Sequence, residues 1–351
     1  MRRSFFFMHQ IRLADLPWEE RRSPTGRYHS YLKDISLALG GVRDVGPWGG
    51  GHPFDLQLRR VPPGAAVCPQ HAHAVQWELF VVLAGTATVR ADAATHAVAA
   101  GDAFMQPPGT AHQIVNSGSV DLEFYVIANN SPADSTWYPN SRKWMLKPQR
   151  RIFRMTEVDY YDGEDETELT HVMPSAPTSA ASSAGPAPTS VASGMRRVRI
   201  ADLPWEERLS PGGKFGCRFQ TISLALGGVR DGWPRKGHPF DLTLVRLPPG
   251  RAVCPYHSHA AQWEMFLLVS GAGTVRSAGG RQAVTAGQVV LHPPGEAHQI
   301  LNQGPKDFLF YILADNPPVD ICHYPDSNGW AISPPPKFFR MTDAHYLEGE
   351  E

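Results

Sequence analysis

Apolar residues in the first half of the chain come in short runs, and none keeps a 3.6-residue period long enough for a substantial helix. Residues 54–61, 78–83, 86–90, 103–106, 112–115 and 122–128 alternate or are rich in β-branched and aromatic side chains. Between them stand Pro62-Pro63-Gly64, Gly85, Gly101-Asp102, Pro107-Pro108-Gly109 and Asn116-Ser117-Gly118. Short strands with Gly or Pro at each corner predict an all-β sandwich or closed barrel. Ahead of them, Asp15 and Pro17 predict one helical turn with Asp15 as N-cap, and Trp18 is placed to pack an N-terminal arm on the barrel.

The pattern is written twice. ADLPWEER at 14–21 returns at 201–208, ISLALGG at 35–41 returns at 222–228, and FRMT at 153–156 returns at 339–342. From residue 51 to 130 the second copy lies at a constant offset of 186, with 44 of 80 positions identical and no gap. Such self-similarity predicts two copies of one domain, spanning residues 8–170 and 195–351 with a linker at 171–194. The linker's PSAPTSAASSAGPAPTSVAS has neither charge nor aromatic residue and cannot bury enough surface to offset its entropy. Twenty such residues reach roughly 25 Å root-mean-square, enough for two barrels to pack side by side. The halves are expected to associate as a pseudo-twofold pair within the chain, which leaves further homo-oligomerisation open.

Composition then removes some partners. The 33 Lys and Arg balance 34 Asp and Glu, so no strong field draws the chain to nucleic acid or an anionic membrane. No apolar run approaches the roughly 18 residues of a membrane helix. Arg2 and Arg3 precede three phenylalanines, but His9, Gln10, Arg12 and Asp15 interrupt the apolar region an export signal needs; Met8 could be the true start. Cys68, Cys217, Cys254 and Cys322 are too few for a disulfide framework and read as reduced thiols, hence an expected cytoplasmic location.

One constellation carries chemistry. His71, His73, Glu78 and His112 recur as His257, His259, Glu264 and His298. Histidines at i and i+2 of a strand share a face, a short turn returns the glutamate on the next strand, and the last histidine enters from a later hairpin. Three imidazoles and a carboxylate suit one divalent Fe, Mn, Ni, Zn or Cu ion per barrel, with coordination positions left open. Isolated polar barrel residues satisfied by hydrogen bonds are the alternative; recurrence in both copies favours the metal.

Gly64-x6-His71-x-His73-x4-Glu78-x6-Gly85, followed by Gly101-x5-Pro107-x-Gly109-x2-His112-x3-Asn116, resembles the two motifs of the cupin superfamily, and the copy from Gly250 repeats the match. Six residues rather than the usual five follow the first glycine. The resemblance implies a double-stranded β-helix, or jelly-roll, barrel in each half, a bicupin, with the eight residues above as ligands. The flanks resemble small single-domain cupins labelled sugar-phosphate isomerases. Bicupin oxalate decarboxylases usually place three residues between the second histidine and the glutamate; the four here are closer to dioxygenase-type cupins.

Around the metal, Arg60 and Arg246 share the alternation of Phe54, Leu56 and Leu58; if that face points inward, their guanidinium groups could grip a carboxylate or phosphate. Gln76 and Gln262 are candidates for substrate binding or for orienting ligands. Trp77 and Trp263 are expected to face the other half, and Tyr125 and Tyr311 to pack. Alternation places Cys68 and Cys254 opposite His71 and His257 as apolar fillers. Gln106 becomes His292 in the second copy. The expectation is a metal-dependent bicupin, an enzyme on a small carboxylated, enolic or sugar-like substrate. Dioxygenase chemistry leads; isomerase, decarboxylase and non-enzymatic binding or storage roles follow.

Overall fold

The structure, a computed structural model, describes residues 9–162, 195–229, 237–346 and 348. The expected linker at 171–194 and the Arg2 to Phe7 segment lie outside the described residues. Strands dominate; the α-helices among the described residues are the single turns Ile35–Ala38 and Ile222–Ala225. Among the described residues no helix is long and apolar enough to cross a membrane.

Each half is a jelly-roll barrel whose larger sheet has seven strands. In the first half its order is Arg196–Arg199, Asp102–Gln106, Glu78–Ala84, Leu122–Asn129, Phe54–Val61, His29–Asp34, Glu19–Arg22. A three-stranded sheet of His112–Asn116, Thr86–Ala91 and Ala94–Ala99 closes the barrel. Four further strands, Ala72–His73, Asp134–Tyr138, Lys143–Lys147 and Arg151–Phe153, extend one end. The second half repeats this arrangement.

Each large sheet borrows its first strand from the other copy. Arg196–Arg199 pairs with Asp102–Gln106 of the first barrel, and His9–Arg12 pairs with Gln288–His292 of the second. Backbone bonds from Leu13 to Gly287 and from Ile200 to Gly101, each 2.9 Å, continue the two exchanged arms. The arm ends in a 3-10 turn, Leu13–Asp15, capped by Arg12 without a side-chain bond; Asp15 closes this turn rather than opening one, contrary to the N-cap expectation. Trp18 packs against the buried cluster that also takes Ile11 and Leu13, with the Arg60 guanidinium 4.3 Å above its ring.

Two kinds of core result. Phe80, Phe104 and Phe124 fill the first barrel, the first two stacked at 4.7 Å; Phe266, Phe308 and Phe310 fill the second. A third, larger cluster lies between the barrels and joins Phe54, Leu56, Leu58 and Ile127 to Phe240, Leu242, Leu244 and Leu313. The apolar stripe of Phe54–Val61 therefore faces the other barrel, and the alternate residues Asp55, Gln57 and Arg59 line the first barrel's cavity. Trp263 meets His52 across the divide at 5.2 Å between ring centroids, as expected of an outward tryptophan. Tyr125 and Tyr311 pack at the same cluster. At the corner after Glu78–Ala84, Gly85 has φ +77°, and an added Cβ would lie 2.7 Å from the Asp121 carbonyl oxygen.

Candidate metal centre

The four first-barrel residues meet because three hairpins end at one place. His71 and His112 exchange backbone bonds of 3.0 and 2.8 Å, His73 sits in the two-residue strand that pairs with Thr136, and Glu78 begins the strand opposite Gln106. His112 Nε2 stands 2.8 Å and His73 Nε2 3.8 Å from Glu78 Oε2. The His71 ring centroid is 5.0 Å from that of His73 and 4.6 Å from that of His112.

What lies behind each ring decides what it offers in front. His71 Nδ1 is 2.9 Å from the Pro69 carbonyl, His112 Nδ1 is 3.1 Å from the Thr110 carbonyl, and His73 Nδ1 is 2.6 Å from Asp134 Oδ2. Each acceptor holds a proton on Nδ1 and leaves Nε2 as the nitrogen that can take a metal. Against its burial, Cys68 and Glu78 raise the His71 pKa to about 9, so a cation bound there would replace the proton on its Nε2. Asp134 is itself held by the Val75 N–H, 2.9 Å from its Oδ1. Burial would raise the Asp134 pKa, but the bond with His73 keeps it below the usual carboxylate value.

The second barrel repeats this in detail. His257, His259 and His298 direct Nδ1 to the Pro255 carbonyl at 3.0 Å, Asp320 at 2.6 Å and the Glu296 carbonyl at 3.1 Å. His298 Nε2 is 2.7 Å from Glu264 Oε2, and the Nε2 atoms of His257 and His259 approach to 3.1 Å. Two imidazole lone pairs facing each other repel unless a proton or cation lies between them. Glu78 Oε2 in the first barrel is buried with no donor in hydrogen-bond geometry. Converging lone pairs and an unsatisfied carboxylate oxygen fit a divalent cation. Burial opposes the Glu78 and Glu264 charges, yet the surrounding histidines hold both carboxyls well below the ordinary range. Cys322, near His257 and His259, adds a thiol where the first barrel has Thr136.

The flanking residues divide. Gln76 lines the first cavity, bonding the Asn129 carbonyl at 3.0 Å and accepting from Lys147 at 2.9 Å; Gln262 bonds the Asp315 carbonyl at 2.7 Å. Arg60 and Arg246 are not brought to the metal cluster. They stack over Trp18 and Trp205, and Arg60 bonds Glu123 at 2.7 Å. The inward-facing expectation fails because the apolar residues on their face serve the contact between barrels. Cys68 and Cys254 also depart from expectation: the chain is not a regular strand there, and their sulfurs lie 3.5 and 3.4 Å from Nδ1 of His71 and His257. His292 stacks on His298 at 4.0 Å, and burial lowers its pKa to about 3, leaving it neutral.

Sequence reasoning missed Asp134 and Asp320, although both hold the same offset as the ligands. It also missed Asp55, Arg59 and Lys147, which join His71, Glu78 and His112 around a cavity of about 230 Å³. Asp55 Oδ1 is buried without a partner, and burial pushes the Asp55 pKa up to about 6 against the pull of Arg43.

The Cupin domain family matches residues 57–128 and again 243–313. An oxalate-binding protein of Thermotoga maritima is 32% identical over 69 residues, 20% of this chain and 56% of that protein, so little more than half its length is spanned. The Lactobacillus farciminis oxalate decarboxylase, solved as a formate complex, superposes over 90% of this chain and 88% of its own with a TM-score of 0.53 at 15% identity. A Bacillus subtilis oxalate decarboxylase, which has Mn(II) centres, aligns over 91% and 80% with a TM-score of 0.52 at 16% identity. A glyoxylate-induced protein of Pseudomonas aeruginosa aligns over 87% and 88% with a TM-score of 0.52 at 12% identity. At these identities the solved structures speak for the fold, and with a family match in each half at the barrel strands, the chain is a duplicated cupin.

Proposed function

We propose that this bicupin binds a small carboxylate of the oxalate type at a divalent transition metal held by His71, His73, Glu78 and His112, with a second metal at His257, His259, Glu264 and His298, and that the first site decarboxylates it. The observation that carries the reading is the second set of contacts. All six ring Nδ1 atoms face a carbonyl or carboxylate, so that six Nε2 atoms turn toward two glutamates. The oxalate-related proteins among the relatives support the substrate class and favour decarboxylation over the dioxygenase expectation. Mn(II) is the first candidate, after the Bacillus subtilis enzyme; Fe, Ni, Zn and Cu suit the same donors.

A bound metal supplies Lewis-acid polarisation of a carboxylate oxygen. The chain supplies the rest. Phe80, Phe124 and Val126 form an apolar wall on the cavity, which excludes water from the carboxylate. Loss of CO₂ leaves an electron pair on carbon that must take a proton. Asp55, on the same cavity with its pKa raised to about 6, holds that proton over part of its population near neutrality.

The test is elemental analysis of untagged protein, followed by measurement of CO₂ and formate from oxalate. About two metal equivalents with formate release support the reading. Metal uptake with oxalate binding but no turnover would reduce the chain to a binding protein, as the Thermotoga maritima relative is named. No metal after reconstitution would remove the metal site itself.

A further inference from the structure

The two copies keep their metal-ligand sets but not the walls around them. Four cationic side chains line the first barrel's cavity: Arg43, Arg59, Lys147 and Arg150. Three of them are neutralised nearby. Arg43 contacts Asp34, Arg150 Nε is 2.5 Å from Asp44 Oδ2, and Lys147 stands 3.5 Å from Asp44 and 3.7 Å from Asp134. Arg59 differs: its hydrogen-bond partners are the neutral Gln57 Oε1 at 3.0 Å and Ser30 Oγ at 3.3 Å. A guanidinium on a cavity wall with neutral partners keeps donors and a full charge for an anion.

At the offset of 186, Arg59 becomes Val245, Lys147 becomes Ser333 and Arg150 becomes Pro336; Arg43 is matched, at an offset of 187, by Arg230, which lies outside the described residues. Val245 is 2% exposed and belongs to the apolar core of its barrel with Phe308 and Phe310. The second barrel has thus packed hydrocarbon where the first presents a guanidinium.

We propose that the barrels have parted in ligand charge: the first takes a small dicarboxylate, one carboxylate on the metal and the other on Arg59, whereas the second, with Val245 in that place, holds its metal without a matching anion anchor among the described residues. This rests on the metal sites proposed above. The cavity of about 230 Å³ has ample room for a dicarboxylate of a few carbons.

The test is calorimetric titration of the Mn(II)-loaded full chain, carrying Asp55→Asn so that oxalate is bound without turnover, with oxalate, acetate and inorganic phosphate. One tight oxalate site per chain is expected, with acetate much weaker. Arg59→Gln should weaken oxalate by about ten- to a hundredfold, the range for losing a charged hydrogen-bonding partner, with Mn(II) stoichiometry and acetate affinity unchanged. Arg59→Lys keeps the charge without the two-pronged geometry and should fall between; it also serves if the glutamine variant does not fold. Two equal oxalate sites, or oxalate affinity in either variant within about threefold of the parent, would overturn the proposal. Phosphate binding as tight as oxalate would overturn the dicarboxylate assignment. Failure to take up Mn(II) would instead overturn the metal sites on which both readings stand.

Discussion

Asp134→Asn tests the electrostatic logic of the first site with no change in side-chain shape. Asp134 Oδ1 accepts the Val75 N–H at 2.9 Å while Oδ2 accepts from His73 Nδ1 at 2.6 Å. In asparagine the amide oxygen must keep Val75, because an NH₂ group there would set donor against donor. The NH₂ then faces His73 Nδ1, which has to become an acceptor, and the ring proton moves to Nε2, the atom directed at Glu78. One of four ligands loses its lone pair. Loss of a partner behind a metal-bound histidine typically costs 10- to 100-fold in affinity, about 1.4–2.7 kcal/mol, and an inverted tautomer belongs at the upper end. Metal-stripped protein titrated with Mn(II) or Co(II) should show one site weakened about a hundredfold and one unchanged. Asp320→Asn should do the same at the second site, where Asp320 Oδ1 accepts from Ala261 at 2.8 Å and Oδ2 faces His259. The melting temperature of the stripped variants separates a ligand effect from unfolding. Two parental affinities in Asp134→Asn, within about threefold, would refute the reasoning.

Other expectations follow from the same structure. If Asp55 donates the proton, turnover should fall as pH rises through about 6, its raised pKa, and Asp55→Asn should abolish it while leaving metal content intact. Because that carboxyl titrates higher when folded, its stability contribution is complete below its ordinary pKa of 3.8 and is lost as pH rises through about 6. Asp55→Asn should therefore stabilise the chain at pH 8, by up to about 3 kcal/mol, as read by denaturant unfolding. Gly85→Ala should cost roughly 1–3 kcal/mol, since its φ of +77° and the 2.7 Å approach to the Asp121 carbonyl disfavour any Cβ; parental stability would contradict this. Deletion of residues 1–12 strips the strand paired to Gln288–His292 and should lower stability by about 2–5 kcal/mol from lost ladder bonds and promote self-association, visible by light scattering.

Much of this was written locally. The matched His, His, Glu and His stand at strand ends that alternation and Gly or Pro corners already marked, so barrel and ligand cluster were both legible. What was not legible depended on which side of a strand became the inside. Phe54, Leu56 and Leu58 form the apolar stripe that an isolated barrel would turn inward; with a second barrel pressed against it, that stripe became the interface, and the polar set containing Arg59 lined the cavity. Period two predicts two faces but cannot tell one apolar surface from another. Asp134 lies 61 residues from His73 on a strand whose mixed sequence, DSTWY, has no clear alternation. The exchanged strand HQIR is four residues long, and its partner begins near residue 288. Nothing within four residues encodes so distant a pairing.

The exchange of first strands has a consequence for how the copies could change. Were each half a separate protein, the same exchange would make a homodimer, and every substitution would strike both sites at once. Covalent linkage frees each half from complementing its own copy, since its partner is always the other, at an effective concentration no dilution removes. A guanidinium can then be retained at Arg59 while Val245 occupies the matching place. The same clasp forbids the separation that independence would otherwise permit: a half excised at the linker would carry away a strand of its neighbour and leave its own sheet one strand short.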